Sequence, residues 1–263
     1  MTNRYHLFFL SILILCISCE KEAKLDTETQ SSIDYSIVEP LFTNVLMLTD
    51  QVLLKSQNID NSSISNTSCA NVTVLHSNPN DTSVFPKTIV FDFDSTGCFY
   101  RKKLTKGIFK VQINADYGTQ DNQMNISFEN YQVNNINISG NIIINSPEAS
   151  KYGFTVVSGE ISFDSKKITY NAVKELILIN TGLEANNYRL NGKANGVNSE
   201  GLSFEAEITQ TIEKSLNCNF NKKGIVKVKP DELVERFLNF GEGDCNSNAI
   251  ITINGYNYTF DLN

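Results

Sequence analysis

The sequence predicts an all-β chain, an antiparallel β-sandwich or strongly curved β-meander, preceded by one N-terminal amphipathic helix. Three observations carry that expectation. From about residue 69 onward, apolar residues recur at every second position in short runs, the period of a strand with one buried face. Asn, Asp, Gly and Ser separate the runs at short intervals, which suits hairpin connections and therefore antiparallel pairing. Earlier in the chain, apolar residues recur at three- and four-residue spacing over the length of a helix.

Residues 1–18 read as a secretory signal. Arg4 precedes an apolar run from Leu7 to Ile17, broken only by Ser11. A stable membrane-spanning helix needs about 20 apolar residues, whereas a signal core needs about 7–15. Cys16-Ile17-Ser18-Cys19 resembles a bacterial lipobox, which implies cleavage after Ser18 and a diacylglycerol on Cys19. Glu20 at the next position, where Asp would signal inner-membrane retention, implies sorting to the outer membrane. The acidic residues of Glu20-Lys21-Glu22 also resemble a Bacteroidota surface-export signal, so the domain is expected to face the periplasm or the cell surface.

The full chain carries 22 basic and 29 acidic residues, a formal charge of −7. Removal of residues 1–18 takes away Arg4 alone and leaves −8. Phosphate backbones would repel such a surface, because nucleic-acid binding depends on clustered Lys and Arg, so no nucleic-acid partner is expected. About 245 mature residues suffice for one β-rich domain. Beyond Cys16 and Cys19 four cysteines remain, Cys69, Cys98, Cys218 and Cys245, an even number that suits disulfides in an exported chain. Three pairings are possible; Cys69 with Cys98 and Cys218 with Cys245 is preferred because each closes a loop of about 28 residues. Zinc is a poor reading without a Cys-x-x-Cys or histidines to complete a site.

Residues 19–32 read as the lipidated cysteine and a polar tether. In residues 33–56 the spacing of Ile37, Leu41, Val45, Leu48 and Val52 predicts the amphipathic helix, with Pro40 in its first turn, packing as a lid on the β domain. Residues 57–68 are a Ser/Asn-rich loop, and 69–263 the β domain. Within it, Phe109, Val111 and Ile113 alternate with Lys110 and Gln112, and Met124, Ile126 and Phe128 repeat the pattern. Further runs lie at Ile136–Ile138, Ile142–Ile144, Phe154–Val157, Ile161–Phe163, Leu176–Ile179, Leu202–Phe204 and Ile250–Ile253. Tight hairpins are expected at Asn254-Gly255, Asn134-Asn135 and Asp164-Ser165. Glu232–Asn239 fits helix and strand about equally and is taken as strand.

Asp92-Phe93-Asp94-Ser95-Thr96 resembles the nucleophile motif of the haloacid dehalogenase phosphatases, and Gly243-Asp244-Cys245-Asn246 loosely resembles their metal-binding motif. The resemblance would make Asp92 the nucleophile, Asp94 the acid and base, and Asp244 a Mg²⁺ ligand. That chemistry needs a parallel sheet with crossover helices, which the strand pattern does not offer. The preferred reading places Asp92 and Asp94 toward solvent while Val90, Phe91 and Phe93 fill the core. Asp244, Asn246 and Asn248 are weak metal candidates, spaced like half a calcium loop but lacking its Gly and closing Glu; an Asx-capped turn fits better. His76, the one imidazole after residue 18, has no nucleophile elbow to partner and reads as an exposed strand-end residue. Asp94-Ser95-Thr96 also resembles a Bacteroidota O-glycosylation sequon.

Pro86–Phe93 leading to Cys98, Gly107–Val111, Phe128–Asn134 and Phe240–Asn246 before the final Asn-Gly hairpin together resemble a family of Bacteroidota-type outer-membrane lipoproteins, over residues 65–263. The resemblance implies an envelope β domain and brings no catalytic residues. The function expected is non-enzymatic binding or a structural role at the envelope, anchored to the membrane by lipid, without a cofactor. Glycan capture and a metal-dependent phosphatase are the alternatives, and the partner would be an envelope protein or a glycan.

Overall fold

The computed structural model describes residues 25–53, 69–148, 150–179 and 187–262. The signal segment, Cys19 and the loop at 57–68 lie outside the described residues. One helix, α1 (Gln30–Leu53), is followed by fourteen strands: β1 (Asn71–His76), β2 (Lys87–Asp92), β3 (Cys98–Tyr100), β4 (Lys103–Ile113), β5 (Asn122–Val133), β6 (Ile136–Glu148), β7 (Lys151–Phe163), β8 (Lys166–Ile179), β9 (Asn187–Val197), β10 (Ser203–Ser215), β11 (Lys223–Pro230), β12 (Arg236–Glu242), β13 (Asn248–Ile253) and β14 (Tyr256–Asp261).

All fourteen strands belong to one sheet, each pairing antiparallel with its neighbours in sequence, except that β3 pairs only with β4 and β2 pairs across it with β4. Of the two expected architectures, the strongly curved meander is the one observed. Alternation sets the two faces: Phe109, Val111 and Ile113 are buried, and Met124, Ile126, Ile142 and Ile144 continue that inner face across β5 and β6. The three expected hairpins are present, with Asn134, Asn135, Asp164, Ser165, Asn254 and Gly255 all at positive φ. Arg236–Glu242 is strand, as taken, but the strand begins four residues later than Glu232 because residues 231–235 form the turn.

Curvature comes from bulges, each an extra residue that bends its strand. Register shifts interrupt β4 at Gly107, β7 ahead of Gly159 and β10 between Ile208 and Glu213. A Cβ on Gly107, at φ 77°, would lie 2.1 Å from the Asn130 carbonyl oxygen. One on Gly159 would lie 2.9 Å from the Phe42 ring of α1, so the bulge is also a place where helix and sheet approach closely.

The curved sheet wraps around α1 and does not wear it as a lid. Tyr35, Val38, Phe42, Leu46 and Thr49 are as deeply buried as the expected stripe of Leu41, Val45, Leu48 and Val52, while Ile37 is only half-buried. The helix also starts earlier than residue 33. The Thr29 carbonyl accepts from Ser32 and Ile33 N–H, and the Glu28 carboxylate accepts from Ser31 N–H at 2.6 Å, a negative charge at the positive end of the helix. Pro40 therefore sits in the helix interior, not the first turn. It removes the donor for the Ser36 carbonyl, a defect of about 3 kcal/mol that burial on nearly every side offsets.

Candidate functional site

Both preferred cystines form, Cys69 with Cys98 and Cys218 with Cys245. They lie near one another through Arg101, which follows Cys98 at the β3–β4 turn. Its guanidinium donates to the carbonyls of Ser215 and Cys218, and Asn219 Nδ2 donates back to the Arg101 carbonyl at 3.3 Å. Side chains and loops thus tie the beginning of the sheet to its second half, where strand pairing does not.

Asp92 and Asp94 end β2 in an Asx turn. Asp92 Oδ1 accepts from Asp94 N–H at 2.8 Å, and Asp94 Oδ1 accepts from Ser95 N–H at 2.5 Å and from Thr96 N–H at 3.4 Å. The Ser95 hydroxyl and these backbone donors hold the Asp94 carboxyl below its usual range. Phe91 and Phe93 are buried as expected; Val90 is half-buried because period-two geometry puts it on the outward side with Asp92. Every strand pair around the motif is antiparallel, and the residues after it form β3, not a helix. Asp244, Asn246 and Asn248 lie in and after the β12–β13 loop, where Asn246 Oδ1 accepts from Asn248 N–H at 3.0 Å. Among the described residues, no group of three or more His, Cys, Asp or Glu side chains is arranged to hold a metal ion. His76 ends β1 and is half-buried rather than exposed.

The sequence reading missed a polar system inside the wrap. Three carboxylates of α1 are fully buried: Asp34 meets the β9–β10 turn, and Glu39 and Asp50 meet strands. Asp34 Oδ2 accepts from Ser199 N–H at 2.6 Å. Glu39 lies between two ammonium groups, Lys174 of β8 at 3.2 Å and Lys214 of β10 at 3.3 Å, with Thr43 and Asn221 completing its hydrogen bonds. Burial pushes the Glu39 carboxyl up, but the two lysines outweigh it and hold it at about 2. Burial pushes Lys214 down to about 8 against the pull of Glu39. Asp50 accepts from the Tyr188 hydroxyl at 2.9 Å, and Tyr152 also bonds to it; burial wins here and raises its carboxyl to about 7. The parity of β8 carries the one signal that could have revealed this system: Lys174 shares its face with Tyr170, Ala172 and Leu176, all buried.

Several concavities reach the surface of the described residues, among them an open one of about 740 Å³ beside Asp92, Asp94 and Glu129; two others stand out by their lining. One is a narrow apolar cleft of about 130 Å³ along the less buried stripe of α1, where Ile33, Ile37 and Pro40 face Phe220, Phe240 and Phe260. The other lies on the outer face of β7–β11, as adjoining grooves of about 460 and 640 Å³ that share Asn171, Asn195, Glu205 and Lys229. These four residues pair directly across successive strands and form one outward row. Four strands set about 4.8 Å apart make the row roughly 14 Å long. Asn171 accepts from Ser158 N–H, but Asn195 and Glu205 have no side-chain partner among the described residues. In the next row Lys193 and Lys227 both pair with Glu207, at 3.0 and 3.3 Å.

Among the described residues, no helix is long and apolar enough to cross a membrane. No protein-family model matches this chain, and neither a curated protein nor a solved structure matches it.

Proposed function

We propose that this chain is a non-catalytic, lipid-anchored protein of the bacterial cell envelope, held in the outer membrane through Cys19, and that its β domain binds a hydroxyl-rich polymer, a glycan chain, on the outer face of the sheet. The observation that carries the binding part is the outward row Asn171, Asn195, Glu205 and Lys229, which lines an open groove with amide, carboxylate and ammonium groups. Such a row offers donors and acceptors together, as a chain of hydroxyls requires, and uncommitted side chains at its centre leave hydrogen-bonding capacity for a ligand.

Other observations support the rest. Two cystines suit an oxidising compartment, as the lipobox-like Cys16–Cys19 does. The carboxylates with a phosphatase-like spacing are engaged by turn N–H groups, and the buried acids of α1 are enclosed by the sheet.

A panel of immobilised envelope and dietary glycans tests the proposal. The wild-type protein is expected to be retained on at least one glycan class, and the double variant Asn195→Ala/Glu205→Gln to pass through. Retention on none of them would overturn the glycan reading and leave an envelope polypeptide as the ligand to seek. Turnover of a phosphate ester that disappears in Asp92→Asn would overturn the non-catalytic one.

A further inference from the structure

The point at which the chain leaves the fold fixes which pole of the domain faces the membrane. Asp26 is bound where β12 begins: its Oδ2 accepts from Arg236 Nη2 at 2.8 Å and from Val234 N–H at 3.2 Å. Glu28 pairs with the same guanidinium at 3.2 Å, and Arg236 is fully buried, so residues 26–28 are seated on the domain and are not free tether. Six peptide units separate Cys19 from Leu25, and fully extended they span at most about 21 Å. If Cys19 is acylated, as the proposed function holds, the pole at Asp26 cannot move farther than that from the bilayer.

Three of the exposed large apolar side chains stand at that pole. Leu25 is 51% exposed, Val234 39% and Tyr256 59%. Leu25 and Val234 come together because the Val234 N–H donates to Asp26, and Tyr256 lies two strands away. Arg236 pairs with Ile253, which pairs with Tyr256, so at about 4.8 Å per strand the Tyr256 backbone lies roughly 10 Å from Arg236. Tyr is a residue that favours the boundary between hydrocarbon and water. Asp231, Glu232 and Glu235 surround the patch, also exposed, which would set it against anionic headgroups and suits zwitterionic ones.

We propose that Leu25, Val234 and Tyr256 form a membrane-contact patch that seats the domain on a zwitterionic lipid surface, with the cystine-bearing pole directed away from the bilayer. The proposal rests on anchoring through Cys19. Tethering makes a small patch sufficient, because the anchor keeps its local concentration at the surface high. Opposite polarity is built in: Tyr100 donates to Gln51 in the last turn of α1 at 2.6 Å, so neighbouring Phe99, 73% exposed, sits about 30 Å along the helix from the Gln30 end. The outer groove on β7–β11 adjoins that pole, since Asp231, Glu232 and Glu235 line it too, and its row of Asn171, Asn195, Glu205 and Lys229 runs across the strands around the domain.

The chain contains no tryptophan, so single-tryptophan variants report without background. Tyr256→Trp and Phe99→Trp both replace an exposed aromatic residue and leave the core intact. Each acylated protein would be reconstituted into phosphatidylethanolamine and phosphatidylcholine vesicles whose acyl chains are brominated near the glycerol. The expected result is at least about a twofold loss of Tyr256→Trp fluorescence relative to unbrominated vesicles, with Phe99→Trp unchanged. Vesicle co-flotation and the mass of the Cys19 peptide are read on the same samples. A protein that carries the diacyl group and floats, yet shows no quenching at Tyr256→Trp or equal quenching at both positions, overturns the patch and leaves anchoring standing. A protein without the diacyl group that stays out of the vesicle fraction overturns anchoring, and the patch with it.

Discussion

Both halves of the sheet bury apolar side chains against one helix, but they differ in what is added to them. Through β2, β4 and β5 the concave face is aromatic: Phe91 stacks on Phe109 at 4.3 Å, Phe109 meets Tyr131 edge-on at 5.5 Å, and Phe42 of α1 joins through Phe128 at 6.1 Å. From β7 to β12 the same face carries Tyr152, Lys174, Tyr188, Lys214 and Arg236, all buried and all directed at carboxylates of α1 or of the segment before it. Apolar packing is non-directional and rewards area alone, whereas a buried ion pair is satisfied at one position of the helix only. The aromatic half therefore supplies compactness, and the polar half sets how far along its axis the helix sits.

The largest effect should come from breaking that key. Glu39→Gln leaves two buried ammonium groups without a carboxylate and is expected to cost about 3–5 kcal/mol in urea unfolding. Glu39→Met combined with Lys174→Met and Lys214→Met should recover most of the loss, since well-packed apolar replacements of buried ion pairs are often neutral or better. Next come the staples. Cys218→Ser with Cys245→Ser opens a loop of 27 residues and should cost about 2–4 kcal/mol. Gly159→Ala pushes a methyl toward Phe42 at the contact between the bulge and the aromatic half, for about 1–3 kcal/mol.

Asp50 sharpens the comparison through pH. Its folded value near 7 lies above the ordinary 3.8, so the buried protonated acid contributes fully below about pH 4, and that contribution is lost as pH rises through 7. Asp50→Asn should therefore flatten the fall in Tm between those limits and gain most over wild type above pH 7. Glu39 has the opposite sign, since its value of about 2 lies below the ordinary 4.5; its contribution is present above that value and lost as pH falls through 2. The smallest effect is expected outside the wrap, where Lys193→Ala breaks an exposed pair with Glu207 and should change stability by less than about 0.5 kcal/mol.

Much of the aromatic half was legible in the sequence, because Phe109, Val111, Ile113, Met124 and Ile126 alternate cleanly and each inward position is apolar. The hairpins were legible too, since Asn-Gly and Asn-Asn pairs tolerate the positive φ that those turns need. The polar half was not. Lys174, Lys214, Glu39 and Asp50 each look like surface residues until the partner is known, and their partners lie between 102 and 175 positions away or on another element. The docking of the segment before α1 was hidden for the same reason, since Asp26 and Glu28 pair with Arg236, about 210 residues downstream. The outer groove leaves no local trace at all, because Asn171, Asn195, Glu205 and Lys229 become a row only once four strands are in register.

Anchoring through Cys19 in an oxidising compartment is read most directly from a non-reducing peptide map of the protein purified from membranes. A diacylated Cys19 as the first residue, together with Cys69–Cys98 and Cys218–Cys245 bridges, is the expected result. An unmodified Cys19 still joined to residues 1–18, with free thiols at the other four positions, would contradict both the anchor and the compartment.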